Sequence, residues 1–312
     1  MQIRGKDFIE TPEGLIFAVL VDGTEDDRQL CFLRYIKTGS GYRKLETEEA
    51  NRLLAADFPH YRFHSRQRDA DLHGVPRDKI IRHHRPIQRL QEIVSAGRRD
   101  PIESKLASIA ALLENSGLSL AHVGVTGSLL VGAQTARSDI DLVIYGRDNF
   151  RRLRDIVRQA ILNKNLDPLG DAQWFEAYRR RGCSLSLDEY LWHERRKLNK
   201  ASLSGTKIDF SLVSDDSDPE RHRYRKIELA EIIAVVTDAR LAFDHPACYR
   251  VSHPEIHEIA SFTPTFAGQA FAGETVIARG MLEESECGTR RLVTGSSREA
   301  RGEYIKVVRN TV

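Results

Sequence analysis

The chain reads as an α+β protein in three consecutive parts: an N-terminal α+β module over residues 1–97, a central mixed sheet with helices over 98–219, and a small C-terminal β-barrel over 220–312. Three observations predict this. Short β-like runs punctuated by Gly and Pro fill both ends, the middle alternates strand-like runs with helical spacing, and 312 residues exceed one core of ordinary size. Hydrophobic residues at 41% and charged residues at 29% give the balance of a folded globular protein and exclude a disordered chain. No apolar run reaches the roughly 20 residues that cross a bilayer, and the opening residues lack the apolar stretch of a signal peptide. A cytoplasmic location with no membrane partner is expected. Cys31, Cys183, Cys248 and Cys287 lie far apart with no C-x-x-C pair, so reduced thiols are expected in place of a zinc ribbon or a disulfide framework.

In the first part, the apolar run 15–21 follows a Pro-Glu-Gly turn and the run 30–36 precedes a Gly-Ser-Gly break, which predicts two strands; a helix is expected over 47–55. A basic, His-rich stretch follows and reads as a loop-helix region ending near Gly97. In the second part, Asp100 and Pro101 make a good N-cap and first helical position, and Ile102, Leu106, Ile109 and Leu113 recur at helical spacing until Gly117. Next come a strand over 121–125, a Gly-Ser turn, a short apolar helix over 128–133 and a second strand over 140–145. Phe150, Leu153, Ile156, Val157 and Ile161 mark an amphipathic helix. Helical sequence fills 171–200, a third strand spans 206–213, and an acidic loop, SDDSDPE, closes the part. Beyond it, β-like runs at 232–236, 265–271, 275–282, 290–294 and 303–308 have the spacing of a small barrel.

The stretch that carries chemistry sets Gly127-Ser128 at the end of one strand and Asp139-Ile-Asp141 at the start of the next. Gly127 lets the backbone approach a phosphate, Ser128 offers a hydroxyl and an N–H, and the helix beginning there presents its positive end to an anion. Successive side chains of a strand point to opposite faces, so Asp139 and Asp141 project to the same side. Two carboxylates so placed repel without a cation between them, and hard oxygen ligands with room for phosphate oxygens suit Mg²⁺. Asp209 alternates with Ile208, Phe210 and Leu212 on the third strand and is the candidate for a third carboxylate.

Gly-Ser, ten residues, Asp-x-Asp and a later strand Asp together resemble the DNA polymerase β-type nucleotidyltransferase superfamily, over roughly residues 100–213. The resemblance implies a nucleotidyltransferase fold for the mixed sheet and transfer of a nucleotidyl group from an NTP to an acceptor hydroxyl with Mg²⁺ or Mn²⁺. It implies that Gly127 and Ser128 hold the triphosphate and that Asp139 and Asp141 bind both metal ions. Asp209 would then help to bind one of them and to activate the acceptor. The 67 residues between Asp141 and Asp209 exceed the spacing of minimal members.

Arg137 precedes Asp139 by two and is a candidate for the triphosphate. Arg195, Arg196, Lys197 and Asn199 lie just before the third strand and are candidates for the base or acceptor side, Lys197 being taken as nucleotide-binding. From Pro59 to Arg99 ten Lys/Arg face four Asp/Glu, with His60, His64, His73, His83 and His84 besides; further basic clusters are Arg179–Arg181, Arg195–Lys197 and Arg221–Lys226. They are solvated faces or, if they meet a polyanion, contacts to RNA, which makes RNA the first choice of acceptor; a protein or a small molecule is the alternative, and a noncatalytic nucleotide or RNA binder a third reading. His60 and His64 have the spacing of metal ligands on a helix, but no Glu completes an H-E-x-x-H, which favours structural or nucleic-acid-facing histidines. Gly124-x-x-Gly127-Ser128 lacks the Lys and the spacer of a P-loop. Gly295-Ser296 repeats the dipeptide with no Asp-x-Asp behind it.

Overall fold

The computed structural model of the chain describes residues 2–39, 41–215, 223–295 and 301–309. The class is α+β, with sheets of seven, four and six strands among the described residues. Most of the acidic loop 214–220, with Arg221 and Ser296, lies outside them. The chain divides into two compact units. Met1–Arg66, Ala70–Asp167 and Ala201–Pro219 form the first; Gln67–Asp69, Pro168–Lys200 and Glu220–Val312 form the second. The division differs from three consecutive modules: the N-terminal and central parts are one unit, and the helical segment before the third central strand belongs with the C-terminal strands.

The first sheet of the first unit contains β1 (Phe8–Glu10), β2 (Leu15–Glu25), β3 (Arg28–Thr38), β4 (Gly41–Lys44), β5 (Arg62–Ser65), β6 (Ala70–Pro76) and β7 (Arg82–His84), with α1 (Thr47–Asp57) between β4 and β5. The order is β5-β6-β3-β2-β1-β7, with β4 added beside β3. Period-two alternation along β2 feeds two cores. Leu15, Phe17 and Val19 pack with Cys31, Leu33 and Leu54 of α1, whereas Ile16 and Ala18 face Phe8, Tyr35, Leu130 and Val131. A β-bulge makes this possible on β3. Ile16 pairs with Tyr35 but Phe17 pairs with Leu33, so Arg34 is the extra residue and Tyr35 turns to the face opposite Leu33.

The basic, His-rich stretch carries three short strands, β5, β6 and β7, where a loop was expected, and ends in the expected helix, Pro86–Ser95. His60 lies in a 3₁₀ turn and His64 on β5, so the two do not share a helix face. Its histidines find acidic and polar partners far back in sequence: His83 Nε2 lies 2.7 Å from Asp7, His84 Nε2 3.3 Å from Glu10, and His73 accepts from the Leu33 N–H and reaches Asn51.

The second sheet follows α2 (Pro86–Ser95) and α3 (Pro101–Asn115). It contains β8 (Val123–Thr126), β9 (Ile140–Tyr145), β10 (Lys200–Leu203) and β11 (Thr206–Val213), in the order β10-β11-β9-β8; α4 (Ser128–Val131) and α5 (Arg147–Leu162) flank β9 in sequence. β8 is antiparallel to β9, and β9 is parallel to β11. Asp100 caps α3 in a capping box with Glu103, as its sequence predicts. Gly124 explains how α2 joins this sheet, since a Cβ there would lie 2.5 Å from Pro86 Cβ. Arg89 of α2 then donates to the Leu129 carbonyl at 3.1 Å and pairs with Glu103 at 2.9 Å. A residue counted in a nucleic-acid-facing cluster is therefore an internal tie.

The second unit holds α6 (Asp171–Arg181), α7 (Leu187–Lys197), β12 (Tyr224–Asp238), β13 (Ala247–Ser252), β14 (Glu258–Ser261), β15 (Thr275–Ser285), β16 (Arg290–Thr294) and β17 (Tyr304–Val307). The pairing path β12-β13-β14-β16-β15-β17 returns on itself, because β12 also pairs with β15. Leu169, Trp174, Leu185 and Tyr190 share one core with Ile232, Val236, Tyr249, Ile259 and Ile305, and this burial is why the segment belongs here. The run 265–271 is not a strand. Pro264–Phe266 is a 3₁₀ turn, and Phe266 and Ala270 fill the core from a loop. In this unit, β13 and β14 are strands that sequence reading passed over.

Candidate functional site

Asp139, Asp141 and Asp209 come to one patch of the second sheet. β9 and β11 set Asp141 directly opposite Asp209, and β8 sets Thr126 opposite Asp141 on the other side. Alternation sends Ile140, Leu142, Ile208 and Phe210 into the core and leaves the acids on the other face, with Asp139 30% and Asp209 25% exposed at the side chain. Farther along that face, Val143, Tyr145 and Val213 pack with Ile87 of α2. Apolar packing thus covers one end of the face, and the acids occupy the other.

Gly127 joins β8 to α4 at φ 67°, ψ −143°, a conformation open to glycine alone. Its hydrogen faces the site. A Cβ there would overlap Asp141 Oδ2, so backbone and carboxylate meet as closely as chemistry allows. Ser128, partly buried, follows as the first residue of α4. That helix is a single turn, so the anion-attracting dipole expected of it contributes little. What remains of the expected cradle is the Gly127 turn with the Ser128 N–H and hydroxyl beside it. Arg137 is exposed on the turn that leads to Asp139, where the Thr135 N–H bonds to Ser138 Oγ.

Lys207 stands among the acids. Two residues before Asp209 and on the same strand face, it reaches Asp209 with a short hydrogen bond and Asp139 at 3.5 Å, with its side chain only 9% exposed. Burial alone lowers its pKa, but the Asp209 charge and hydrogen bond, with Asp139 and Asp141 behind them, outweigh that and raise it. Asp141 is pushed up to about 6, first by burial and then by Asp209; Lys207 offsets part of this, Asp139 adds to it, and Lys6 offsets a little more. Three acids thus share Lys207, and Lys6 adds a smaller offset. Strand alternation would have placed Lys207 here, but attention to acids passes over a base.

The N-terminal sheet also borders the site. Thr126 Oγ1 donates to the Lys6 carbonyl at 2.9 Å, and Arg4 lies 4.8 Å over the Tyr145 ring while bonding the Ser214 carbonyl. Burial raises the Tyr35 phenol, Arg34 offsets part of the rise, and the Asp141 charge adds to it. The bulge at Arg34 therefore turns Tyr35 within electrostatic reach of the carboxylates.

Lys197 is not part of this patch, which corrects its reading as a nucleotide ligand. It lies in the second unit, 1% exposed at the side chain, with its ammonium 2.5 Å from Glu194 and 2.7 Å from the Thr265 carbonyl. Arg195 pairs with Asp171, and Arg196 lies 4.3 Å from the centroids of both Trp192 and Phe271 while pairing with Glu274. Their work is inside the second unit.

Among the described residues no group of three or more His, Cys, Asp or Glu side chains is arranged to hold a metal ion as it stands. The chemistry of the patch nevertheless fits a hard divalent cation. Its donors are all carboxylate oxygens, on one sheet face, and the space between Asp139 and Asp209 already accommodates a positive charge in the Lys207 ammonium. Among the described residues, no helix is long and apolar enough to cross a membrane, and none of the four cysteines is in a disulfide.

No family model and no solved structure matches the chain. Uncharacterized protein MJ1086 of Methanocaldococcus jannaschii is 35% identical over an alignment of 340 residues, which covers 99% of this chain and 100% of that protein. At that identity over that coverage, the chain belongs to the same family as MJ1086.

Proposed function

We propose that the first unit is a metal-dependent nucleotidyltransferase, moving a nucleotidyl group from an NTP to an acceptor hydroxyl. The observation that carries this reading is the in-register opposition of Asp141 and Asp209, with Asp139 on the same face and Gly127 pressed against the Asp141 carboxylate. We read the four-stranded sheet as the nucleotidyltransferase sheet and the closed strand path of the second unit as a small barrel. When bound, Mg²⁺ or Mn²⁺ supplies positive charge against the phosphate oxygens and the departing pyrophosphate. Asp139, Asp141 and Asp209 are the residues that would hold it. Gly127 keeps the backbone open to the triphosphate, and Ser128 donates to its oxygens. The acceptor oxygen forms a bond to the α-phosphorus, the bridging bond to the β-phosphate breaks, and the acceptor proton passes to the Asp209 carboxylate.

RNA is the first choice of acceptor, on the exposed basic side chains of Arg62, Arg66 and Arg82. Lys207 favours a second reading, because a lysine that already pairs with two of the acids is what a noncatalytic nucleotide-binding site would keep. Incubating the protein with each labelled NTP and Mg²⁺ or Mn²⁺, in the presence of total RNA and of total protein, separates these. Metal-dependent label in RNA is expected. Label in protein moves the acceptor, and no label with any NTP, metal or acceptor leaves the noncatalytic reading.

A further inference from the structure

Lys207 has the geometry of a resident cation. It lies on β11 next to Ile208, whose side chain enters the core from the opposite face, so the strand fixes where the lysine begins. Its ammonium ends against Asp209 and 3.5 Å from Asp139, carboxylates from two different strands. Those are two of the three groups whose oxygens a shared divalent ion needs. Three carboxylates meet here, and the ammonium that touches two of them carries a single positive charge. A divalent ion is a better match for the cluster than a lysine, but both cannot take the same oxygens at once.

We infer that Lys207 is a positioning residue that holds the carboxylate cluster together without metal and is displaced from Asp139 and Asp209 when a divalent ion binds. The inference rests on the proposed transferase reading and deepens it. Lys207 keeps the acids from driving the strand ends apart in the metal-free protein, and it sets a threshold for metal occupancy, because every ion that enters must first remove it. The fixed stem keeps the displaced ammonium beside the site.

The test is Mn²⁺ binding to the full chain, read by the electron paramagnetic resonance of free Mn²⁺ and by calorimetry, with no nucleotide present. Lys207→Met keeps the length of the stem and removes the charge. It is expected to bind Mn²⁺ at least about tenfold more tightly than wild type, to melt at a lower temperature without metal, and to regain that loss when Mn²⁺ is added. Adding Asp139→Asn should remove the gain, which locates it at this cluster. Should Lys207→Met not fold, the wild-type protein still answers: Lys207 should resist an amine-reactive label without metal and take it up with Mn²⁺, as mass spectrometry of the peptide reports. Mn²⁺ affinity equal to or weaker than wild type in Lys207→Met, or labelling unchanged by bound Mn²⁺, overturns the inference while leaving the transferase reading in place. If neither wild type nor variant binds Mn²⁺ at millimolar concentration, both fall together.

Discussion

Each unit of the protein contains a small cluster of lysines and carboxylates, and the two are balanced in opposite ways. In the second unit, Glu194 takes the ammoniums of Lys197 and Lys200, each at 2.5 Å, and the Thr265 carbonyl takes another Lys197 proton. Burial raises the Glu194 pKa, but the two lysines overwhelm it and hold the carboxyl far below its ordinary value. In the first unit, three carboxylates share one lysine, all three are partly open, and Asp141 titrates high. A sealed cluster in which two ammoniums close on one carboxylate is a joint. An open cluster with negative charge left over is a place for something positive to arrive. Residue types alone do not separate the two; the sign of the imbalance does.

Neutralisation should therefore act in opposite senses in the two places. Asp139→Asn with Asp141→Asn is expected to reduce metal-dependent transfer at least about a thousandfold, on the scale of several kcal/mol of transition-state stabilisation. The melting temperature should hold or rise, since repulsion with Asp209 is relieved. A large fall in melting temperature would make the open cluster a joint as well. Glu194→Gln should do the reverse, costing about 3 kcal/mol of stability by removing the negative charge that two ammoniums share, with transfer unchanged below the melt. Denaturant titration of both variants, with transfer assays beside it, checks the contrast.

The smallest effect is a pH dependence in the second unit. His193 Nδ1 donates to the Glu189 carbonyl at 2.7 Å while Nε2 accepts from the Val307 N–H at 3.1 Å, so the ring must be neutral. Burial lowers its pKa to about 4; the Glu189 carbonyl resists this, and Lys197 and Arg196 add to it. Below pH 6.5 the unfolded chain takes a proton that the folded unit refuses until about pH 4, so stability falls with pH across that window, by at most about 1.4 kcal/mol per unit. Glu194, whose folded pKa is depressed, adds its own loss only as pH falls below 4.5. Melting curves at pH 7, 6 and 5 should show the decline, and His193→Gln should flatten it; an equal slope in the variant would remove His193 from the account.

Much of the fold is legible in the sequence where a local rule governs it. The spans 140–145 and 206–213 are strands with those bounds, and Asp100 caps its helix, because alternation and capping are properties of neighbouring residues. The basic stretch is not legible, since its histidines are settled by Asp7 and Glu10, more than seventy positions earlier, and Arg89 by the Leu129 carbonyl forty positions later. Composition suggested solvent; distant partners put these groups inside. In the site, Asp139, Asp141 and Asp209 follow from pattern, whereas Lys207 and Tyr35 do not stand out. Lys207 has the opposite charge to the motif, and the face of Tyr35 depends on one bulged residue that no periodicity announces.

The excursion of the chain through Pro168–Lys200 also sets an order of events during synthesis. Asp139 and Asp141 leave the ribosome on β9 well before β11 exists, and the chain must first make α6 and α7, whose core partners β12 to β17 come later still. Until β11 arrives, one edge of β9 has no strand to pair with, and two carboxylates stand together with neither Asp209 nor Lys207 beside them. A nascent chain stalled before residue 201 therefore carries half a site with an open strand edge. The same residues meet Asp209 and Lys207 only when β11 is inserted, so assembly of the cluster is a late event tied to the return of the chain.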